Sequence, residues 1–349
     1  MNDRPNIKCI DTHVHFRDWE EDYKETIRGG SEKAAKQRII AVGDMPNTIP
    51  PILLRKSAIR RLETAVKEKP LVKYFLWIGM IPNRDQIEEA VKAVREIPEV
   101  LGIKLYAGPT TNALGVNSER KQKMIYQALT ADLDYQGVLA VHCEKQKELR
   151  PKLWDPKIPW SHNLARPPKA EIESVKDQIK FAKETNFSGH LHICHISQPE
   201  TLSIVQQARE NGLDISGEVT PHHLLLSELN MVELNRMYAR NEGLMLKVNP
   251  PLSTLPAVEE LREKVIQLVQ KEVDWLWLAT DYAPHTLKEK LKPQYLSGIA
   301  DFSLYGQILT RLNEEGLSWE QIERLTYHNI IKAFGEKFKG IGEINEEVK

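Results

Sequence analysis

Eight short apolar, β-branched runs recur along this chain, and their regular alternation with charged amphipathic stretches restricts the fold more than any other feature. The runs cover residues 7–15, 38–45, 72–80, 100–106, 138–143, 190–197, 213–220 and 275–280. Between most of them lie stretches long enough for helices with one apolar face, at 56–69, 84–97, 118–131, 170–185, 200–211 and 258–271. Strand and helix alternating in this way predict a (β/α)8 TIM barrel. The strands read as near-continuous apolar runs because helices cover the outside of a parallel sheet. The rival is an open doubly wound sheet, but no Gly-x-Gly-x-x-Gly follows the first run. The 349 residues suffice for one large α/β domain. The expectation is a single barrel over 1–349, with a loose charged tail from about Gly340.

Charge narrows the choice of partner. Lys and Arg number 48 against 49 Asp and Glu, leaving a formal net charge of −1 and no field of one sign to attract nucleic acid or an acidic membrane. The N-terminus lacks a basic-then-apolar signal pattern, and no apolar run reaches the roughly 18 residues of a membrane span. A soluble, cytoplasmic protein acting on a small molecule is expected. The three cysteines, Cys9, Cys143 and Cys194, form no close-spaced metal or redox motif and read as reduced, buried thiols.

Barrel enzymes carry their chemistry at the C-terminal strand ends. Here those ends hold metal-ligand residue types: His13 and His15 on the first strand, Lys104 on the fourth, His142 on the fifth, His195 on the sixth and Asp281 after the eighth. His13 and His15 are two apart, so an extended strand points both the same way. The same alternation predicts that Cys143 and Cys194 point outward, and that His190 and His192 face away from His195 in structural roles. His222 and His223 could line the mouth or bond the loop backbone; His162 and His328 receive no role. Lys104 is the odd member, since an ammonium repels a dication. Either it pairs with a carboxylate or reaches solvent, or carbon dioxide converts it to a carbamate whose oxygens can bridge two metals.

These residues resemble the dihydroorotases of the amidohydrolase superfamily. The resemblance runs through Asp-Thr-His-Val-His-Phe-Arg (11–17), Met-Pro-Asn-Thr (45–48), Gly-Ile-Lys-Leu-Tyr (102–106), Val-His-Cys-Glu (141–144) and Ala-Arg-Pro-Pro-Lys-Ala-Glu (165–171). It continues through His-Ile-Cys-His-Ile-Ser (192–197), Glu-Val-Thr-Pro-His-His-Leu (218–224), Lys-Val-Asn-Pro-Pro-Leu (247–252) and Ala-Thr-Asp-Tyr-Ala-Pro-His (279–285). It implies two zinc ions per subunit, one on His13, His15 and Asp281 and one on His142 and His195, bridged by carboxylated Lys104. A metal-activated hydroxide would attack the cyclic amide, with Asp281 as general base. The implied reaction is the reversible closure of N-carbamoyl-L-aspartate to L-dihydroorotate in pyrimidine synthesis. By the same resemblance Arg17, Asn47 and His285 hold the free carboxylate, and Thr110 and Thr111 belong to a loop that closes over the substrate.

Three features depart from the family pattern: Tyr282, Ser253 after Pro-Pro-Leu where arginine is frequent, and the 297–302 loop in place of a Gly-Pro-rich one. They bear on substrate choice, so a hydantoinase, dihydropyrimidinase or allantoinase is the first alternative, sharing the metals but not the carboxylate set. The second is a metal-free structural partner of aspartate transcarbamoylase, which usually loses ligands. Two-fold assembly is expected on general prevalence, association with aspartate transcarbamoylase is left open, and a flanking β-sandwich is not expected.

Overall fold

In a computed structural model, residues 5–110, 114–238, 241–338 and 341 are described. Eight parallel strands form one sheet in chain order: β1 (Cys9–Val14), β2 (Ile39–Asp44), β3 (Lys73–Gly79), β4 (Val100–Ala107), β5 (Val138–Cys143), β6 (His190–Ile196), β7 (Ile215–Val219) and β8 (Leu276–Leu278). β8 meets β1 just past its own end, where Val14 pairs with Tyr282 and the His15 N–H donates to the Tyr282 carbonyl at 2.8 Å. The sheet is thus a nearly closed barrel, as the alternating runs predict.

Helices occupy the predicted intervals with small shifts, including Arg55–Glu68, Arg84–Glu96, Pro168–Glu184, Pro199–Glu210 and Leu255–Gln270. Local chemistry sets their starts. The Asn83 side chain accepts from the Gln86 N–H as an N-cap, and Pro168 and Pro199 open their helices where a missing N–H costs nothing. The 118–131 segment is not one helix: it is α-helical over Glu119–Gln127 and widens to a π-turn over Ala128–Asp132.

Strand alternation creates two apolar layers. Outward residues such as Val42, Leu76, Ile103, Leu139 and Cys143 pack under the helices. Inward residues Ile10, Ala41, Phe75, Trp77, Leu101, Val138, Ala140 and Trp277 fill the lower barrel. Phe334 and Phe338 close its floor, with Phe75 and Phe338 ring centroids 4.8 Å apart and Trp77 and Phe334 at 5.8 Å. Ile341 is buried in that same cluster; residues 340 and 342–349, on which the expected charged tail falls, lie outside the described ones.

Candidate metal centre and substrate pocket

Above the apolar floor the strands change character within one or two inward positions. On β5, Val138 and Ala140 are followed by His142; on β4, Gly102 is followed by Lys104; beyond Trp277 of β8 comes Asp281. A cavity of about 300 Å³ at this rim is lined by His13, His15, Lys104, His142, His195 and Asp281. Arg17, Asn47, His285 and Thr110 line it as well. Thr111 lies outside the described residues.

His15 Nε2 lies 2.9 Å and His13 Nε2 3.2 Å from Asp281 Oδ1, so two imidazoles and one carboxylate converge on one point. Their donor atoms all fall within 4.8 Å of one another, a spacing a single metal ion can bridge. The outer ring nitrogens are held in place: His15 Nδ1 meets Asn47 Oδ1 at 2.6 Å, and His13 Nδ1 meets a Glu218 oxygen. Such outer partners fix ring orientation and tautomer. His142 Nδ1 and His195 Nε2 are 3.0 Å apart, and buried His195 Nδ1 has no hydrogen-bond partner among the described residues.

Burial, followed by the nearby Lys104, pushes the His13 pKa down to about 4, and burial with neighbouring His142 drives that of His195 well below its usual range. Burial opposes ionisation of Asp281, but His13 and His15 outweigh it and hold the carboxyl well below the ordinary range. Neutral imidazoles beside an ionised carboxylate are the protonation states a metal needs. The donor set therefore fits a divalent ion.

The path of β6 differs from the alternating one. His195 has φ 37°, and the β6–β7 register shifts between Ile193 and Ile196. This bulge turns two consecutive side chains inward. Cys194 consequently lies in the barrel interior, where Lys104 Nζ donates to its Sγ at 2.8 Å, correcting the outward expectation. Cys143 does point outward. His192 also faces the barrel interior, stacked on Trp277 at 4.2 Å, so the bulge leaves it on the same side as His195 and not facing away as alternation predicts; His190 bonds Ser216 at 2.5 Å, and both fill structural places. His223 bonds Thr220 and the Pro250 carbonyl, and neither it nor His222 lines the cavity.

Lys104 is fully buried, and among the described residues no carboxylate lies within ion-pairing distance of it. Across the cavity Arg17 donates from Nε to the Pro284 carbonyl at 3.1 Å and stands 3.4 Å from His285 Nε2. Burial and then Arg17 push the His285 pKa down to about 2, so its ring is neutral.

Sequence reasoning passed over Glu218 and Arg166. Glu218 receives His13, His192 Nε2 at 3.1 Å and the His195 N–H at 3.2 Å, so one carboxylate orients one rim histidine and pins the bulge that carries another. Its period-2 placement on β7 was the available signal. Arg166 is paired through both Glu144 oxygens, at 2.9 and 2.7 Å. Tyr282 points away from the cavity, stacked on Phe302 at 4.1 Å with its hydroxyl 2.9 Å from Glu25. Ser253 is bonded to Gln198 at 2.5 Å and also stays outside the cavity. Of the three departures, only the 297–302 loop reaches the cavity, through Ser297 and Gly298.

A nearly closed parallel barrel with imidazoles and a carboxylate on its upper rim has the architecture of the amidohydrolase barrels. Solved structures agree: the L-hydantoinase of Arthrobacter aurescens superposes with a TM-score of 0.75 at 22% identity, covering 95% of this chain and 71% of that one. The dihydroorotase of Saccharomyces cerevisiae in complex with 5-fluoroorotic acid gives 0.71 at 17%, covering 94% and 84%. No protein-family model matches. Among curated relatives, the dihydroorotase of Methanosphaera stadtmanae is 30% identical over 344 residues, 95% of this chain and 71% of the relative. That of Pyrococcus furiosus is 31% identical over 332 residues, 95% and 67% respectively. The chain belongs to the dihydroorotase family.

Proposed function

We propose that this protein is a dihydroorotase, interconverting N-carbamoyl-L-aspartate and L-dihydroorotate. The observation that carries the reading is one cavity lined both by Asp281, with His13 and His15 at 3.2 and 2.9 Å from its Oδ1, and by Arg17, Asn47 and His285, Asn47 also holding the His15 ring. In this reading His13, His15 and Asp281 would hold one metal and His142 and His195 a second, with Lys104, as a carbamate, supplying a further anionic ligand. Two divalent ions, zinc by the nitrogen and oxygen donors, would acidify a water and polarise the scissile carbonyl. Burial of Lys104 with no carboxylate near it among the described residues supports the carbamate: a buried ammonium without a counter-ion is costly, whereas reaction of the free amine with carbon dioxide yields an anion and releases a proton.

Arg17 donates to the substrate's free carboxylate, with Asn47 and neutral His285 beside it, and this orients the ring so that the amide carbonyl faces Asp281. In hydrolysis Asp281 accepts the proton of the attacking water and passes it to the ring nitrogen as the carbon–nitrogen bond breaks. In synthesis the ureido nitrogen closes on the side-chain carboxylate and water leaves. Thr110, on the cavity wall, would cover the substrate and exclude bulk water, with Thr111, which lies outside the described residues, as its expected companion. Several fold neighbours are hydantoinases, but a buried guanidinium in the wall favours a ring bearing a carboxylate.

No helix among the described residues is long and apolar enough to cross a membrane. A cytoplasmic location and homodimeric assembly belong to the proposal, the latter checked by light scattering, with and without aspartate transcarbamoylase. The activity is tested by reconstituting the protein with zinc and bicarbonate and following L-dihydroorotate by ultraviolet absorbance, with dihydrouracil, hydantoin and allantoin in parallel. Turnover of dihydroorotate that is lost on chelation supports the reading; preference for an uncharged ring overturns it.

A further inference from the structure

Most cations drawn into this molecule already have a place. Arg61 meets Asp44 at 2.7 Å, the partly buried Arg166 and Lys24 meet Glu144 at 2.7 Å and Glu21 at 2.6 Å, and the buried cavity residues Arg17 and Lys104 belong to the proposed carboxylate and metal sets. Lys290, also buried, is satisfied by the carbonyls of Lys247 and Gly298. Lys247 is different. It is 8% exposed, lines the cavity, and has no Asp or Glu oxygen within ion-pairing distance among the described residues. Its Nζ has one hydrogen-bond acceptor there, Ser297 Oγ at 2.6 Å, although an ammonium carries three donors. The Trp154 ring lies 5.4 Å away and offers only its π face. A buried cation with spare donors facing a cavity favours an anionic ligand there.

Its position says which anion. The Ser297 that receives Lys247 also offers its backbone carbonyl to His285 Nε2 at 3.1 Å, and His285 stands 3.4 Å from Arg17. Lys247 is therefore linked to Arg17 through Ser297 and His285, while Arg166 and Glu144 are the charged groups that act on it most. The link is stiff, because the Gly298 N–H donates to the Lys247 carbonyl at 2.9 Å and Lys290 ties the same two residues together. The Lys-Val-Asn-Pro-Pro-Leu segment thereby reaches the pocket through a residue that the metal and carboxylate sets leave unused.

We propose that Lys247 is a specificity-determining residue, its ammonium donating to the free carboxylate of the ring substrate opposite Arg17. The inference rests on the dihydroorotase reading and deepens it. Arg17 supplies the planar fork, and Lys247 a second charge on the far oxygen. Burial, then Arg166, also push the Lys247 pKa down to about 7, and a bound carboxylate would restore its charge.

The test compares wild type, Lys247→Met and Lys247→Arg, all metal-loaded and matched in thermal midpoint and metal content. Kinetics with L-dihydroorotate and dihydrouracil are joined by calorimetry with orotate and uracil. In Lys247→Met the KM for dihydroorotate and the Kd for orotate should rise about tenfold, the loss of one charged hydrogen bond, with kcat changed much less. The preference for dihydroorotate over dihydrouracil should fall by the same factor, and Lys247→Arg should recover most of it. Equal losses for charged and uncharged rings, or unchanged orotate binding, would overturn the role of Lys247 while leaving the dihydroorotase reading intact. A wild type that neither turns over dihydroorotate nor binds orotate would overturn both.

Discussion

The lower and upper halves of the barrel are built from the same strands, yet one is an apolar plug and the other a cluster of histidines, cations and carboxylates. Below, Phe75, Trp77, Trp277, Phe334 and Phe338 fill the interior, and the two indole N–H groups are satisfied by Thr12, at 2.8 Å to its carbonyl and 3.1 Å to its hydroxyl. Above, left-handed backbone at His195 and Asp281, with φ 37° and 50°, turns polar groups inward. Such conformations cost about 1–3 kcal/mol each in non-glycine residues. The packed floor supplies the stability that lets the rim hold strained, unpaired groups. Function and stability are thus separable here along the barrel axis, and substitutions should divide accordingly.

The largest effect should come from the rim. Asp281→Ala should lower turnover by roughly 10²–10⁴-fold, while the denaturation midpoint falls less than in a floor variant, the loss being that of one carboxylate held ionised by two histidines. The floor should behave in the opposite way: Trp277→Ala should cost about 3–5 kcal/mol by urea denaturation, with kcat of the folded fraction close to wild type. A floor variant that lost turnover without losing stability would break the division.

Two further changes sharpen it. Glu171, on the Pro168–Glu184 helix outside the cavity, has its pKa raised by burial from 4.5 to about 7. Its folded pKa lies above the unfolded one, so its contribution is fully present below pH about 4.5 and is lost as pH rises through about 7, by up to ~3 kcal/mol. Glu171→Gln should flatten stability over that window, measured as the urea midpoint against pH. At the junction of the halves, Glu218→Gln weakens the hold on His13 and on the β6 bulge, and should reduce metal affinity by about 10–100-fold in a chelator competition.

Much of this was legible in the sequence because a barrel strand sorts side chains with period 2. The eight runs, the inward pair His13 and His15, and the strand-end positions of Lys104, His142 and Asp281 follow from that rule, and all of them reach the cavity. It failed where the backbone breaks the period. The β6 bulge at His195 brings Cys194 inside together with its neighbour, and no residue type in His-Ile-Cys-His announces it. Glu218 was quoted in a motif without a role, because a strand-end carboxylate cannot be told from a metal ligand until its partners are seen. Tyr282 looked like a change in the substrate pocket, but its ring packs outward on Phe302.

The most direct test of the central claim is the ratio of kcat/KM for L-dihydroorotate to that for dihydrouracil, measured in the zinc-loaded protein and in Arg17→Met. A wild-type ratio well above one that collapses in the variant, at unchanged metal content, is the predicted result. A ratio near or below one in wild type, or one that survives loss of the guanidinium, would contradict the account.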